Sequence, residues 1–265
     1  MLATDAAARG YAPSDFPAPH FPPGAVVLSR KDPVAYYIDD FTTDTEIEHL
    51  IGTASSQLDR ARVSDTAAAQ GTKTPGGLSA TRTNSVAWLT GCGDPVLEAL
   101  EDRICDTVKW HAECTEEFQV IHYEKTQEYR PHYDAYDTSG EHGQANTVRG
   151  GNRLMTVLLY LSDVESGGGT SFPNVGITVT PKKGRVLVFY NCRFGTDNIV
   201  DPSNPDPKSL HSGDPVLSGV KWAVNKWIRE RPMKAVRARR LPPLPDNAEA
   251  TAAIGVALHK IELAQ

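Results

Sequence analysis

The sequence predicts a mainly β fold with flanking helices (α+β), its core a sandwich or jelly roll. Three observations predict it. From residue 117 to 232 the chain reads as short apolar segments broken by turn residues, with no helical pattern among them. Two well-capped amphipathic helix patterns come before that stretch. The composition, 40% hydrophobic and 23% charged over 265 residues, is that of an ordinary globular chain able to bury one full core.

Residues 1–30 contain YAPSDFPAPHFPPG, too rich in proline for a helix or a central strand, and are expected to form a surface arm, extended or disordered. VAYYIDDF (34–41) has a strand pattern. TDTEIEHLI follows, with Thr43 as N-cap, Glu46 as its capping-box partner and Ile47, Leu50 and Ile51 as the buried stripe. The Gly/Thr/Ala-rich stretch 65–80 is expected to be a mobile loop. TRTNSVAWL supplies a short strand, and a second helix opens at Asp94-Pro95 with Leu97, Leu100, Ile104 and Val108 on one face. The later β segments are EFQVIHY, LMTVLLYL, GTSFP, ITVTP, GRVLVFY, SLHS and VKWAVNKWI. This divides a main domain, 31–232, into helical support (43–115) and a β core (116–232). Residues 233–265 read as a linker containing LPPLP and a last helix, whose Ile254, Leu258 and Ile261 could pack on the domain or on a second subunit of a homodimer.

The net charge of −6 provides no attraction for phosphates or anionic lipids, so neither nucleic acid nor a membrane surface is an expected partner. No apolar run is long enough to span a bilayer, and MLATDAAARGYAPSDF lacks the pattern of a signal peptide. A cytoplasmic protein is expected. Cys92, Cys105, Cys114 and Cys192 show no C-x-x-C spacing and read as free structural thiols.

A histidine followed two residues on by a carboxylate occurs three times, at His111/Glu113, His122/Glu124 and His132/Asp134. Most such pairs are solvated surface features, so context has to separate them. In the strand EFQVIHYEK, His122 and Glu124 share one face while Gln119, Ile121 and Tyr123 share the other. His111/Glu113 follows the second helix without a partner histidine at useful spacing. His132/Asp134 has a later partner, His211. Two histidines and one carboxylate on one side of an octahedral metal form the facial triad of non-haem Fe(II) oxygenases. In GVKWAVNKWIRE, alternation places Lys221, Ala223, Asn225 and Trp227 on one face and Trp222, Val224, Lys226 and Ile228 on the other. A lysine facing a β core is costly unless an anion meets it there.

Taken in order, VIHYEKTQEYRPHYD, NRLMTVLLYLSDVESGGGTSFP, PKKGRVLVFYN and SLHSGDPVLSGVKWAVNKWIRE resemble the prolyl 4-hydroxylases among the 2-oxoglutarate and iron-dependent dioxygenases, over roughly residues 34–230. The resemblance implies a double-stranded β-helix (jelly-roll) core, with Fe(II) held by His132, Asp134 and His211. It implies 2-oxoglutarate anchored by Lys221, with Tyr123 and Thr170 as hydrogen-bond donors and Trp227 lining the same pocket. O2 is the second co-substrate, and ascorbate a candidate further cofactor. Oxidative decarboxylation of 2-oxoglutarate to succinate and CO2 would accompany hydroxylation of an unactivated C–H bond. Arg82, in TRTNS, is a candidate substrate contact.

Where the family commonly has Tyr-x-x-Gly-Gln, this chain has Tyr123, Thr126 and Gln127, so a turn glycine is replaced. Stretches 137–153 and 193–209 occupy the places where such enzymes carry loops over the site. Two substrates remain open: a free amino acid or proline-like imino acid, or a prolyl residue in a peptide or protein. The free amino acid is the leading expectation, with Arg149 or Arg82 supplying a cation for its carboxylate.

Overall fold

The computed structural model describes residues 18–61 and 81–233. The arm before residue 18, the stretch 65–80 and the linker and last helix, with the dimer surface assigned to them, lie outside the described residues. In chain order the elements are β1 (Val26–Ser29), β2 (Ala35–Ile38), α1 (Asp44–Ser55), β3 (Asp59–Arg60), β4 (Ser85–Leu89), α2 (Pro95–Val108), β5 (Phe118–Tyr123), β6 (Tyr129–His132), α3 (Glu141–Thr147), β7 (Arg153–Tyr160), β8 (Ser166–Gly167), β9 (Thr170–Phe172), β10 (Ile177–Val179), β11 (Val186–Tyr190), β12 (Cys192–Phe194), β13 (Val200–Pro205), β14 (His211–Gly213), β15 (Val216–Ser218) and β16 (Lys221–Arg229).

Two sheets carry the architecture. The larger runs β1-β2-β11-β7-β16-β5-β4-β3, the smaller β10-β9-β14-β6. Strands β7, β11 and β16 lie inside the large sheet and are buried almost throughout, which is why they read as near-continuous apolar runs. Alternation sorts their side chains into two cores. Val157, Leu159, Val186, Val188, Val224 and Ile228 pack with the apolar stripes of α1 and α2. Leu158, Tyr160, Leu187, Phe189 and Ala223 pack with Phe172 and Val179 of the small sheet. This is the mainly β, helix-flanked jelly roll expected from the sequence.

The helix ends follow local chemistry. Thr43 caps α1, with the reciprocal Glu46 bond of a capping box. Asp94 caps α2 by accepting from the backbone of Val96 and Leu97, with Pro95 at the first helical position. Glu46 also pairs with Arg103 at 2.7 Å, fastening α1 to α2.

Three local features depart from the sequence expectation. Strand β1 falls within the stretch read as an arm and pairs with β2 at the sheet edge. Strand β6, in RPHYDAYD, carries Pro131 and occupies an edge of the small sheet, where a missing N–H costs no ladder bond. Helix α3 forms where only turns were expected; its sequence EHGQANT has no apolar stripe, and Gly143 is its one buried residue. Arg229 and Arg231 donate to the carbonyls of Asn146 and Thr147, so distant cations cap its C-terminal end. At the turn where the glycine is replaced, Thr126 adopts a φ of 71°, a conformation that disfavours a β-branched residue.

Candidate active site

Pairing of β6 with β14 sets His132 directly opposite His211. Asp134, two residues beyond His132, is buried. Ligand-type atoms of all three lie within 4.8 Å of one another. His132 Nδ1 donates to the Arg130 carbonyl at 2.8 Å and His211 Nδ1 to the Ser209 carbonyl at 2.9 Å. A carbonyl can only accept, so each Nδ1 carries a proton and each Nε2 is the ring nitrogen turned to the site. The Nε2 atoms stand 3.7 and 3.5 Å from the two Asp134 oxygens, too far for hydrogen bonds. Three ligand-type side chains therefore converge without pairing.

The electrostatics agree. Burial opposes charge on Asp134, but His211, His132, Arg153 and the Thr156 hydroxyl outweigh it and hold the carboxyl well below its usual range. Burial, followed by the neighbouring His211, pushes His132 below the usual imidazole range. Among the described residues, Oδ1 of Asp134 accepts no hydrogen bond. Two imidazoles and one carboxylate fit a divalent iron that must keep open positions. The Tyr129 ring stacks on His132 at 3.5 Å, and Phe189 packs edge-on to His211 at 4.7 Å, so neither imidazole is free to rotate.

Beyond the triad, on the face between the sheets, Lys221 is 1% exposed. Its Nζ donates to the Gly168 carbonyl at 2.6 Å, and among the described residues no carboxylate lies within ion-pair distance of it. Burial pushes this ammonium down to about 8, with Asp214 opposing the shift. Gly167 and Gly168 both have positive φ, and a Cβ on Gly167 would meet the Pro215 carbonyl oxygen at 2.2 Å, so the glycine turn that presents the Gly168 carbonyl needs its glycines. Tyr123 is the cross-strand neighbour of Lys221, and burial pushes its phenol up to about 12, leaving a neutral donor. Tyr160 donates to Thr170 Oγ1 at 2.8 Å, and its ring lies 5.6 Å from Lys221 Nζ.

Arg82 is buried beside the triad, its guanidinium 4.6 Å over Tyr129 and bonded to Asn84 and Gln119. Trp227 shares the inner face with Lys221 but lies six residues, about 20 Å, farther along β16. It neighbours Thr156 across the register and carries Arg153 over its ring at 3.6 Å, which places it beside Asp134 and away from the lysine. Arg149 is not brought to the triad: it is exposed, donates to the Met233 carbonyl and lines a cleft of about 520 Å³ with Trp88, Cys92 and Glu117. Of the competing histidines, His122 packs against Trp222 with ring centroids 4.3 Å apart, on the opposite face from Tyr123, as strand parity required.

Sequence reasoning missed Thr156, Asn191 and Tyr160. Thr156 did leave a signal, as the lone polar residue inside LMTVLLYL.

Residues 118–229 match the family described as the 2OG-Fe(II) oxygenase superfamily. Prolyl 4-hydroxylase 2 of Arabidopsis thaliana is 34% identical over 227 residues, 78% of this chain and 70% of the relative. Prolyl 4-hydroxylase subunit alpha-2 of Caenorhabditis elegans is 36% identical, over 86% of this chain and 40% of that protein. Among solved structures, the viral collagen prolyl hydroxylase of Paramecium Bursaria Chlorella virus-1, in its 2OG complex, superposes with a TM-score of 0.54 at 26% identity, covering 74% of this chain and 95% of that one. Sequence relationship, fold and converging donors thus agree: the chain belongs to the 2OG-Fe(II) oxygenase superfamily as a prolyl 4-hydroxylase-like dioxygenase that uses Fe(II), 2-oxoglutarate and O2.

Proposed function

We propose that this enzyme hydroxylates a prolyl residue within a peptide or protein. His132, Asp134 and His211 would hold Fe(II), and Lys221, with Tyr123 and Thr170, the distal carboxylate of 2-oxoglutarate. The bound iron supplies the activation of O2 that couples 2-oxoglutarate decarboxylation to hydroxylation. The chain's own contribution is position and dryness. Lys221 supplies an anchoring charge in a setting where an ammonium–carboxylate pair is strong. Phe172, Phe189, Leu158 and Leu187 wall the space between the sheets against water.

One observation carries the choice of substrate: aromatic surface beside the triad reaches the outside, and extended proline-rich segments dock on aromatic surfaces. Trp227, beside Asp134, is 4% exposed. The ring of Trp227 lies 6.0 Å from that of Trp88, which is 44% exposed, so aromatic surface continues from the site to the outside. The relatives, prolyl 4-hydroxylases and a collagen prolyl hydroxylase by name, support the same reading. The free amino acid favoured by the sequence loses support, because Arg149, one of its two candidate carboxylate partners, is exposed and donates to the Met233 carbonyl.

The test offers iron-loaded protein proline-containing peptides beside free L-proline and pipecolate, following succinate release and the mass of each acceptor. Peptides should gain one oxygen at proline with matching succinate. Hydroxylation of the free imino acids in preference to every peptide would overturn the proposal.

A further inference from the structure

We propose that Thr156, held in turn by Asn191, is a positioning residue that keeps Asp134 a one-oxygen metal ligand; this rests on the reading of Asp134 as an iron ligand. Thr156 Oγ1 has a single proton to give. It lies 2.6 Å from Asp134 Oδ2 and 3.4 Å from Asn191 Oδ1, so the carboxylate takes that proton. Asn191 Nδ2, 2.9 Å away, donates to the same Oγ1. Amide, hydroxyl and carboxylate thus form a chain of donors running one way, in which each bond strengthens the next. The whole chain is buried, Asn191 at 0%, Thr156 at 1% and Asp134 at 6% exposure. The backbone of Asn191 is anchored at both groups, its N–H to Leu154 and its carbonyl to the N–H of Asp206.

The consequence for the metal is geometric. With Oδ2 engaged by a short charge-assisted bond, Oδ1 is the oxygen left for a cation. Turning both oxygens toward the metal would require Asp134 to give that bond up. One carboxylate oxygen and two imidazoles leave three positions of an octahedron open, as a chelating keto acid and O2 require, and a second carboxylate oxygen would consume one of them.

Thr156→Val keeps the shape of the side chain and removes the donor, whereas Thr156→Ser keeps the donor. The measurements are Co(II) affinity of the metal-free proteins, visible absorption of the anaerobic Fe(II)–2-oxoglutarate complex and apoprotein Tm. The valine variant should bind Co(II) about 10- to 100-fold more weakly, with a shifted absorption band, and the serine variant should match the unmodified protein. Asn191→Ala should show a smaller loss in the same direction and replaces the valine variant if that chain does not fold. Unmodified Co(II) affinity in Thr156→Val, or in Asn191→Ala in its place, overturns the inference, as does a serine variant no better than the valine one. Asp134→Ala separates the two readings. If it loses Co(II) while Thr156→Val does not, only the positioning role fails. If it binds Co(II) unchanged, the iron-ligand reading and the inference fail together.

Discussion

Lys221 and Lys226 lie five residues apart on one strand, at 1% and 0% exposure, and their surroundings are opposite. Lys226 faces the helices. It pairs with Glu101 at 2.7 Å, donates to the Glu116 carbonyl and lies over the Phe118 ring, while Thr115 donates to the same Glu101 carboxylate. Lys221 faces the gap between the sheets, where one carbonyl accepts from it and no carboxylate lies within ion-pair distance among the described residues. An odd spacing on a strand puts two identical side chains on opposite faces, and the faces decide their use. A saturated buried cation fastens a helix to a sheet. An unsaturated one has donors left over for an anion.

The largest expected effect tests the saturated partner. Lys226→Met takes the ammonium away from the buried Glu101 carboxylate and should lower unfolding free energy by about 3–5 kcal/mol in urea titrations. Its 2-oxoglutarate affinity, measured on the folded fraction, should not change; a loss of affinity without a loss of stability would erase the distinction between the two lysines.

Lys221→Met should do the reverse. Affinity for 2-oxoglutarate should fall about 100-fold, near 2.7 kcal/mol, while the apoprotein stays at least as stable, because a poorly compensated buried charge has been removed. Calorimetric binding and urea unfolding on the same preparation would check both halves.

The smallest effect sharpens the comparison by pH. Lys221 is charged below about 8, so 2-oxoglutarate affinity of the anaerobic Fe(II) protein should weaken as pH rises through that value, by about tenfold at pH 9, with no such step in Lys221→Met. The stability linkage has the opposite sign. The unfolded lysine keeps its proton to a pH near 10.5 and the folded one only to about 8, so the cost of burying this charge is fully present below pH 8 and eases between 8 and 10.5.

Much of this was legible residue by residue. Thr43 with Glu46, and Asp94 with Pro95, marked two helix starts because capping is local chemistry. Alternation along 221–229 assigned both lysines to their faces, and along 118–123 it set His122 apart from Tyr123. Helix α3 was not legible, since its last carbonyls are satisfied by Arg229 and Arg231 from more than 80 residues away. Nor was the place of Arg149 or Trp227: parity names a face, and neither the distance along it nor the cleft a loop side chain joins.

The sequence by itself determined the donor types, the strand faces and the family, because these rest on residue identity, period and motif order. Only the tertiary structure decided that His132 pairs across from His211, that Asn191 supports the Thr156 hydroxyl on one oxygen of Asp134, and that Lys226 finds Glu101 while Lys221 finds no carboxylate within reach among the described residues. The physical reason is that these contacts join separate strands and helices, whose register is set by two cores packing at once and not by any local stretch of chain.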